Sequence, residues 1–275
     1  MLSYRHAFHA GNFADVLKHH VLVHVLNYMA RKDKPYTYVD THSGAGLYSL
    51  RSESAGKNRE YENGIGRLLK NAPSALDDYL QVVTACERFG EDLYPGSPEV
   101  ARQLLREQDR GFLYELHPSD SAILADHFSG DRRFRTDQSD GFAGLLAHMP
   151  PASRRGVVLM DPPYEIKTDY QAVVEALVKA HRRFATGTFM IWYPVVDRAR
   201  ISDMLTQIQQ SGIRRVQRFE LGLSPDTEGR GMTSSGMIVV NPPYTLKAEM
   251  DVLLPDLAAR LSEQGCWVSE DVVGE

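Results

Sequence analysis

Asp161-Pro162-Pro163-Tyr164 is the stretch whose residue types most directly suggest chemistry. An ionised aspartate only accepts hydrogen bonds, the carbonyls of a proline pair are fixed acceptors with no neighbouring N–H to compete, and tyrosine offers a flat aromatic face. Together they suit a planar ring carrying an exocyclic amine. Asp161 and the Pro162 carbonyl would take its two N–H bonds while the ring stacks on Tyr164. A second copy of the pattern, Asn241-Pro242-Pro243-Tyr244, follows the apolar run Met237 to Val240. Only one of the two can occupy a given site.

The elements that must carry these groups can be read from apolar runs and their breakers. Gly156 to Met160 reads as a short buried strand, which the prolines stop because they lack an N–H and restrict the residue before them. Asp161 therefore sits at its carboxyl end. Tyr36 to Val39 is an earlier strand, followed by Asp40-Thr41-His42-Ser43-Gly44-Ala45-Gly46. Glycines there allow positive φ and close backbone approach to a ligand. The dinucleotide fingerprint lacks its third glycine, which disfavours a nicotinamide dehydrogenase. An acidic residue, Asp40, opening a loop that contains Gly44 and Gly46 is instead similar to the first motif of S-adenosylmethionine-dependent methyltransferases. Asp161 to Tyr164 match the tetrapeptide of amino-methyltransferases acting on adenine N6 or cytosine N4.

An acidic residue for the ribose hydroxyls belongs at the end of the next strand. The first convincing candidate is Glu115, after the apolar residues Gly111 to Tyr114 and 69 positions beyond Gly46. That distance implies an insertion, assigned to residues 52–102, with helices expected over Tyr61 to Lys70 and Ala75 to Phe89. The methyltransferase domain would then comprise residues 1–51 and 103–275. Phe134 to Thr136 forms the following strand and leads to Asp140, placed to accept from the cofactor's adenine amine. Glycine loop, ribose acid, adenine acid and Asp-Pro-Pro-Tyr thus follow successive strands of one sheet. On that order Asp161 is the functional copy and Asn241 the structural one.

Asn12 to Ala30 has helical periodicity and reads as amphipathic. Ahead of it, Tyr4 to Asn12 is rich in aromatic and cationic groups, which could stack on a base and pair with phosphate or simply pack on the domain. His20 and His24 are four apart on the helix, but no cysteine cluster or zinc-protease pattern accompanies them, so no metal is expected. His19 and His42 are read as polar walls of the cofactor pocket. The glycine-rich loop from Pro225 to Gly236 lies between two late strands and presents Arg230 as a candidate substrate contact.

The 275 residues are 43% hydrophobic and 24% charged, with a net charge of −5. This is an ordinary globular composition that excludes a globally basic nucleic-acid coat but allows a local basic face. No apolar run approaches the ~20 residues of a membrane span. The first residues lack the apolar core of a signal peptide, and Cys86 and Cys266 are isolated, so a reduced, cytoplasmic, monomeric protein is expected.

Met1 to His6 with His9-Ala10-Gly11-Asn12 and Asp15 to His19, then Asp40-Thr41-His42, Tyr94-Pro95-Gly96-Ser97-Pro98, Glu115 to Asp120 and Asp161 to Tyr164, resemble the RlmJ family nearly end to end. The match is weakest after about Ala248. These bacterial enzymes methylate adenine N6 in 23S ribosomal RNA. The resemblance implies a Rossmann-like S-adenosylmethionine-dependent methyltransferase sheet flanked by helices, with a small helical insertion. It implies cofactor contacts at Lys18, His19, His42, Ser97, Glu115, Asp140, Gly141 and Asp161, with Asp161 also the proton acceptor and Tyr4 touching the RNA. Lys18, Ser97, Gly141 and Tyr4 come from the resemblance alone. A flipped-out base in naked or partly assembled RNA would be the substrate. A DNA adenine-N6 or cytosine-N4 methyltransferase is the alternative, since the tetrapeptide does not distinguish them.

Overall fold

The computed structural model describes residues 5–226 and 231–274. Tyr4 and Arg230 therefore lie outside the described residues. The chain opens with α1 (Phe13–Ala30) and β1 (Thr37–Asp40), then β2 (Leu47–Ser49), α2 (Glu53–Asn58), α3 (Ile65–Leu68) and α4 (Asp77–Thr84). β3 (Leu93–Pro95) and α5 (Ser97–Leu104) lead into β4 (Arg110–Tyr114), α6 (Pro118–Phe128), β5 (Phe134–Asp137) and α7 (Gly141–Ala147). The second half is β6 (Gly156–Met160), α8 (Asp169–Arg183), β7 (Thr188–Val195), α9 (Arg198–Gln210), β8 (Val216–Gly222), β9 (Ser234–Val240), α10 (Leu246–Leu261) and β10 (Cys266–Val273).

Eight strands form one sheet in the order β10-β8-β9-β7-β6-β1-β4-β5. β7, β6, β1, β4 and β5 are mutually parallel, so Asp40, Glu115, Asp140 and Asp161 all follow strands that end on one edge. β9 is antiparallel to both β7 and β8. Its carboxyl end, and with it Asn241-Pro242-Pro243-Tyr244, is therefore delivered to the opposite edge. The parallel strands are flanked on both faces by helices, and all five residues of β6 are buried, as its unbroken apolar run requires.

Three local expectations need correction. Helix α1 is not amphipathic: Asp15, Lys18, His19 and His20 are buried along with its apolar residues. It lies on the sheet face against α4, α5 and α10; Lys18 reaches Asp161 at a strand end, while His20 meets Glu249 on α10. The helix expected over Tyr61 to Lys70 is a 3-10 turn followed by the four residues of α3. Gly64 breaks it, because its Cα is pressed on the Gly11 carbonyl and a Cβ there would lie 2.2 Å from that oxygen. Ala75 to Phe89 is likewise α4 between two 3-10 turns. Residues 52–102 thus hold α2, α3 and α4 and, at their far end, β3 and the start of α5.

Candidate active site

The strand ends surround a cavity of about 390 Å³, lined among others by Lys18, His19, His42, Gly44, Ser97, Glu115, Asp140, Gly141, Asp161 and Pro162. Residues separated by more than a hundred positions meet there because parallel strands end at a common edge.

Asp40, at the end of β1, is fully buried. Its Oδ2 accepts from the Tyr38 hydroxyl at 2.8 Å and the Ser97 hydroxyl at 2.7 Å, and its Oδ1 from the His42 N–H at 3.3 Å. Burial nonetheless pushes its carboxyl up to about 6. Ser97 reaches it because β2 pairs with β3 and the Gly96 N–H donates to the Gly46 carbonyl at 2.9 Å. Asp40 therefore orders the loop and the start of α5 from beneath.

Glu115 ties down the other side of the glycine loop. The Gly44 N–H donates to its Oε2 and the His117 N–H to its Oε1, both at 2.7 Å. Each oxygen keeps lone pairs for a diol, and burial raises the carboxyl above its ordinary value. Asp140 caps α7 by accepting from the Phe142 N–H at 2.9 Å. At Gly141 a Cβ would stand 2.0 Å from the Thr41 carbonyl oxygen, so only glycine allows α7 to abut the β1 loop.

Two of the four histidines on the wall, His42 and His19, have their basicity lowered by burial. Burial lowers His42 to about 4, and its ring meets Phe142 edge-on with centroids 4.9 Å apart. Burial lowers His19 to about 3, and its Nδ1 lies 2.9 Å from the Tyr94 hydroxyl. His19 Nε2 is buried and, among the described residues, makes no hydrogen bond. Such an orphaned polar atom on a cavity wall calls for a ligand partner.

Lys18 organises the reactive end. Its Nζ donates to Asp161 Oδ2 at 2.7 Å, pairs with Asp15 Oδ1 at 3.0 Å and lies 5.7 Å from the Trp192 ring centroid. Burial opposes the charge, but Asp15 and Asp161 outweigh it and hold Lys18 above its ordinary value. Asp15 is in turn bonded by the Gly11 N–H and lies 2.9 Å from His6 Nε2. A chain of hydrogen-bonded polar groups thus runs from the amino-terminal segment to Asp161, its last link joining positions 143 apart.

Asp40, buried beneath the loop, does not line the cavity, and Tyr164 departs further from its expected place. It is half-buried and does not line the cavity. A φ of +52° after the proline pair turns it toward β7, where its hydroxyl donates to the Trp192 carbonyl at 2.6 Å. Its ring packs on Tyr170 and Trp192, with centroids 4.5 and 5.9 Å away. His6, Thr41, His117 and Asp120 fall inside the family's motifs but were given no role, and they line the cavity together with Tyr48, which no local pattern marks. His20 and His24 turn away from it to Glu249 at 2.9 and 3.0 Å.

Asn241 occupies a different setting. Its side-chain amide donates to the Ala185 and Gly187 carbonyls at 2.9 and 2.8 Å, staples that hold a loop at the far edge of the sheet.

The donor set fits S-adenosylmethionine: two acids follow adjacent strands for a ribose and an adenine, glycine backbones allow close approach, and His19 offers an unused nitrogen. Residues 33–273 match the family model described as "Ribosomal RNA large subunit methyltransferase D, RlmJ". The chain is 50% identical over 268 residues to ribosomal RNA large subunit methyltransferase J of Escherichia coli, covering 96% of each. It is 46% identical to the Haemophilus influenzae protein of the same name, covering 100% of each. A crystal structure of a Legionella pneumophila protein superposes with a TM-score of 0.88 at 35% identity, covering 96% of this chain and 98% of that one.

Proposed function

The chain belongs to the RlmJ family of ribosomal RNA large subunit methyltransferases, and from that membership we propose that it methylates N6 of one adenine in 23S ribosomal RNA. S-adenosylmethionine, when bound, supplies an electrophilic methyl group on a sulfonium. Lys18, His19, His42, Gly44, Ser97, Glu115, Asp140, Gly141 and Asp161 line the cavity and would hold it, with Asp40 ordering Ser97 and the glycine loop from beneath. The single observation carrying this reading is that Asp161, with Lys18 at 2.7 Å, faces the cavity walled by Glu115 and Asp140.

The amine lone pair of adenine is delocalised into its ring, so the nitrogen is a poor nucleophile. Asp161 and the Pro162 carbonyl accept its two N–H bonds and favour a pyramidal nitrogen whose lone pair faces the methyl group. Alignment of this kind supplies much of the rate in a displacement held at near-attack distance. A carboxylate is too weak a base to deprotonate a neutral aryl amine beforehand. Asp161 therefore orients the amine and takes its proton as or after the new bond forms. Lys18 fixes the carboxylate's rotamer, occupying Oδ2 and leaving Oδ1 for the amine.

The base must leave its stack to enter the cavity, which costs least in an unpaired region. Naked or partly assembled RNA is accordingly the substrate. Tyr4 and Arg230 are proposed RNA contacts, and Tyr164 supports the site through Trp192. A monomer working in the cytoplasm, where ribosomal RNA is made, is part of the same reading. Among the described residues no helix is long and apolar enough to cross a membrane. The test is nucleoside mass spectrometry of 23S RNA from cells with and without the gene. One N6-methyladenosine should vanish on deletion and return with the wild-type gene, and an unchanged nucleoside profile would contradict the reading.

A further inference from the structure

The second Pro-Pro-Tyr copy does no work at the candidate active site, and the antiparallel course of β9 carries it to the other edge of the sheet. Tyr244 is 77% exposed there, the largest exposure among the described large hydrophobic side chains. It is held firmly for a surface residue. Asn241 is stapled to the Ala185 and Gly187 carbonyls, Thr188 Oγ1 donates to the Asn241 carbonyl at 3.0 Å, and Tyr28 meets the Tyr244 ring edge-on with centroids 5.9 Å apart.

This tyrosine borders a cleft of about 330 Å³ that also takes in Tyr28, Arg31, Lys32, Arg154 and Arg155. Arg31, Lys32 and Arg154 are exposed, and among the described residues none of the three pairs with a carboxylate. The loop presenting Arg31 and Lys32 is preorganised from behind. Arg106 donates to the Ala30, Lys32 and Lys34 carbonyls at 3.2, 2.8 and 3.0 Å, and Arg155 donates to the Met29 carbonyl at 2.6 Å and to that of Lys34. The backbone acceptors are thereby consumed, and among the described residues no carboxylate pairs with the outward cations, of which Arg31 lies 5.3 Å from the Tyr28 ring centroid. On a chain of net charge −5, such a local concentration of positive charge marks a face for an anionic partner. A rigid exposed aromatic beside it specifies a partner with flat rings as well as phosphates.

We propose that this cleft is a second RNA contact, in which backbone phosphates sit among Arg31, Lys32 and Arg154 and one unpaired base stacks on Tyr244. The partner's identity as RNA rests on the methyltransferase reading above. Gly156 borders the cleft and Asp161 the active cavity, at the two ends of β6. Five residue steps at ~3.3 Å put the two sites roughly 17 Å apart through the sheet, and farther over the surface. An RNA limited to the target base and its immediate neighbours cannot fill both. The cleft thus selects for extended RNA and anchors the strand while the target base is being flipped.

The test compares a long 23S transcript with a short oligonucleotide holding the target adenine, by anisotropy titration across a range of KCl concentrations. The variants are R31A/K32A/R154A, Y244A and Y244F. For the long RNA, the triple variant should bind roughly tenfold or more weakly, and its salt slope should fall by about 2, at ~0.7 for each single-strand phosphate that is no longer neutralised. Y244A should lose about 5- to 10-fold, the low end for one stacked base, and Y244F should bind as wild type does. Short-RNA affinity and turnover, and cofactor affinity, should stay within twofold in every variant. Equal binding of the long RNA by all variants overturns the proposal, as do parallel losses on the short RNA. A wild-type protein that binds the long RNA through these residues but never methylates it would remove the proposed reaction and leave this contact standing.

Discussion

Replacing Asp40 by asparagine should make the stability of the cofactor-free protein less sensitive to pH, in a direction and amount that follow from its burial. Asp40 is fully buried and its carboxyl is pushed from 3.8 up to about 6. The folded state therefore binds this proton more tightly than the unfolded chain does. Its contribution to stability is complete below the unfolded value and is lost as pH rises through about 6. At roughly 1.4 kcal/mol for each pH unit, the whole loss is about 3 kcal/mol, of which about 2 kcal/mol falls between pH 4.5 and pH 8. Asparagine cannot ionise and escapes that loss. It also offers one acceptor oxygen where Tyr38, Ser97 and the His42 N–H use two, a pH-independent penalty of about 1–2 kcal/mol. Urea unfolding of both proteins at steps across that range gives the difference directly, because groups such as His9 and Glu249, remote from the substitution, cancel. The variant should gain about 2 kcal/mol on the wild type from pH 4.5 to pH 8. A flat difference, or one that falls with pH, would refute the argument that a buried carboxylate is held at the end of β1 against its own desolvation.

Asp161→Asn should lower turnover at least ~100-fold, the low end for a positioned proton acceptor, while calorimetry still shows measurable cofactor binding. Lys18→Met strands Asp15 and Asp161 without their shared cation, and urea unfolding should register a loss of about 3–5 kcal/mol; a loss below ~1 kcal/mol would mean the pair is not a buried ionic unit. Tyr164→Phe keeps the packing on Tyr170 and Trp192 and forfeits one hydrogen bond, so it should cost about 1 kcal/mol of stability and leave turnover nearly intact. Tyr164→Ala should cost about 3–5 kcal/mol. Gly141→Ala drives a methyl group onto the Thr41 carbonyl oxygen, and cofactor titration should show binding weakened well before any change in RNA affinity.

Much of this site could be read from strand ends. β6 and β1 are short apolar runs with abrupt breakers, so the sequence indicates both the strands and the acids that follow them. The parallel pairing that brings Asp40, Glu115, Asp140 and Asp161 to one edge follows from the alternation of strand and helix. Long-range pairings carry no such local mark. Ser97 reaches Asp40 only because β2 and β3 pair across an excursion of helices, and Lys18 reaches Asp161 only because α1 lies across the sheet with its polar turn at the strand ends. Those residues came from family resemblance and not from their spacing. Tyr164 shows the opposite error. Its aromatic face suggested stacking, but backbone φ after the prolines, which the residue types do not declare, turns the ring inward. Chain order set the two Pro-Pro-Tyr copies apart, and strand direction delivers them to opposite edges of the sheet.

One carboxylate gripping an adenine amine is the centre of the proposed reaction. The most direct measurement is transfer from isotopically labelled S-adenosylmethionine to a 23S transcript by wild type and Asp161→Asn, with the nucleosides identified after digestion. Label should appear in N6-methyladenosine with the wild type and be absent with the variant, although both proteins bind the cofactor. Label in N4-methylcytidine, or full transfer by the variant, would contradict it.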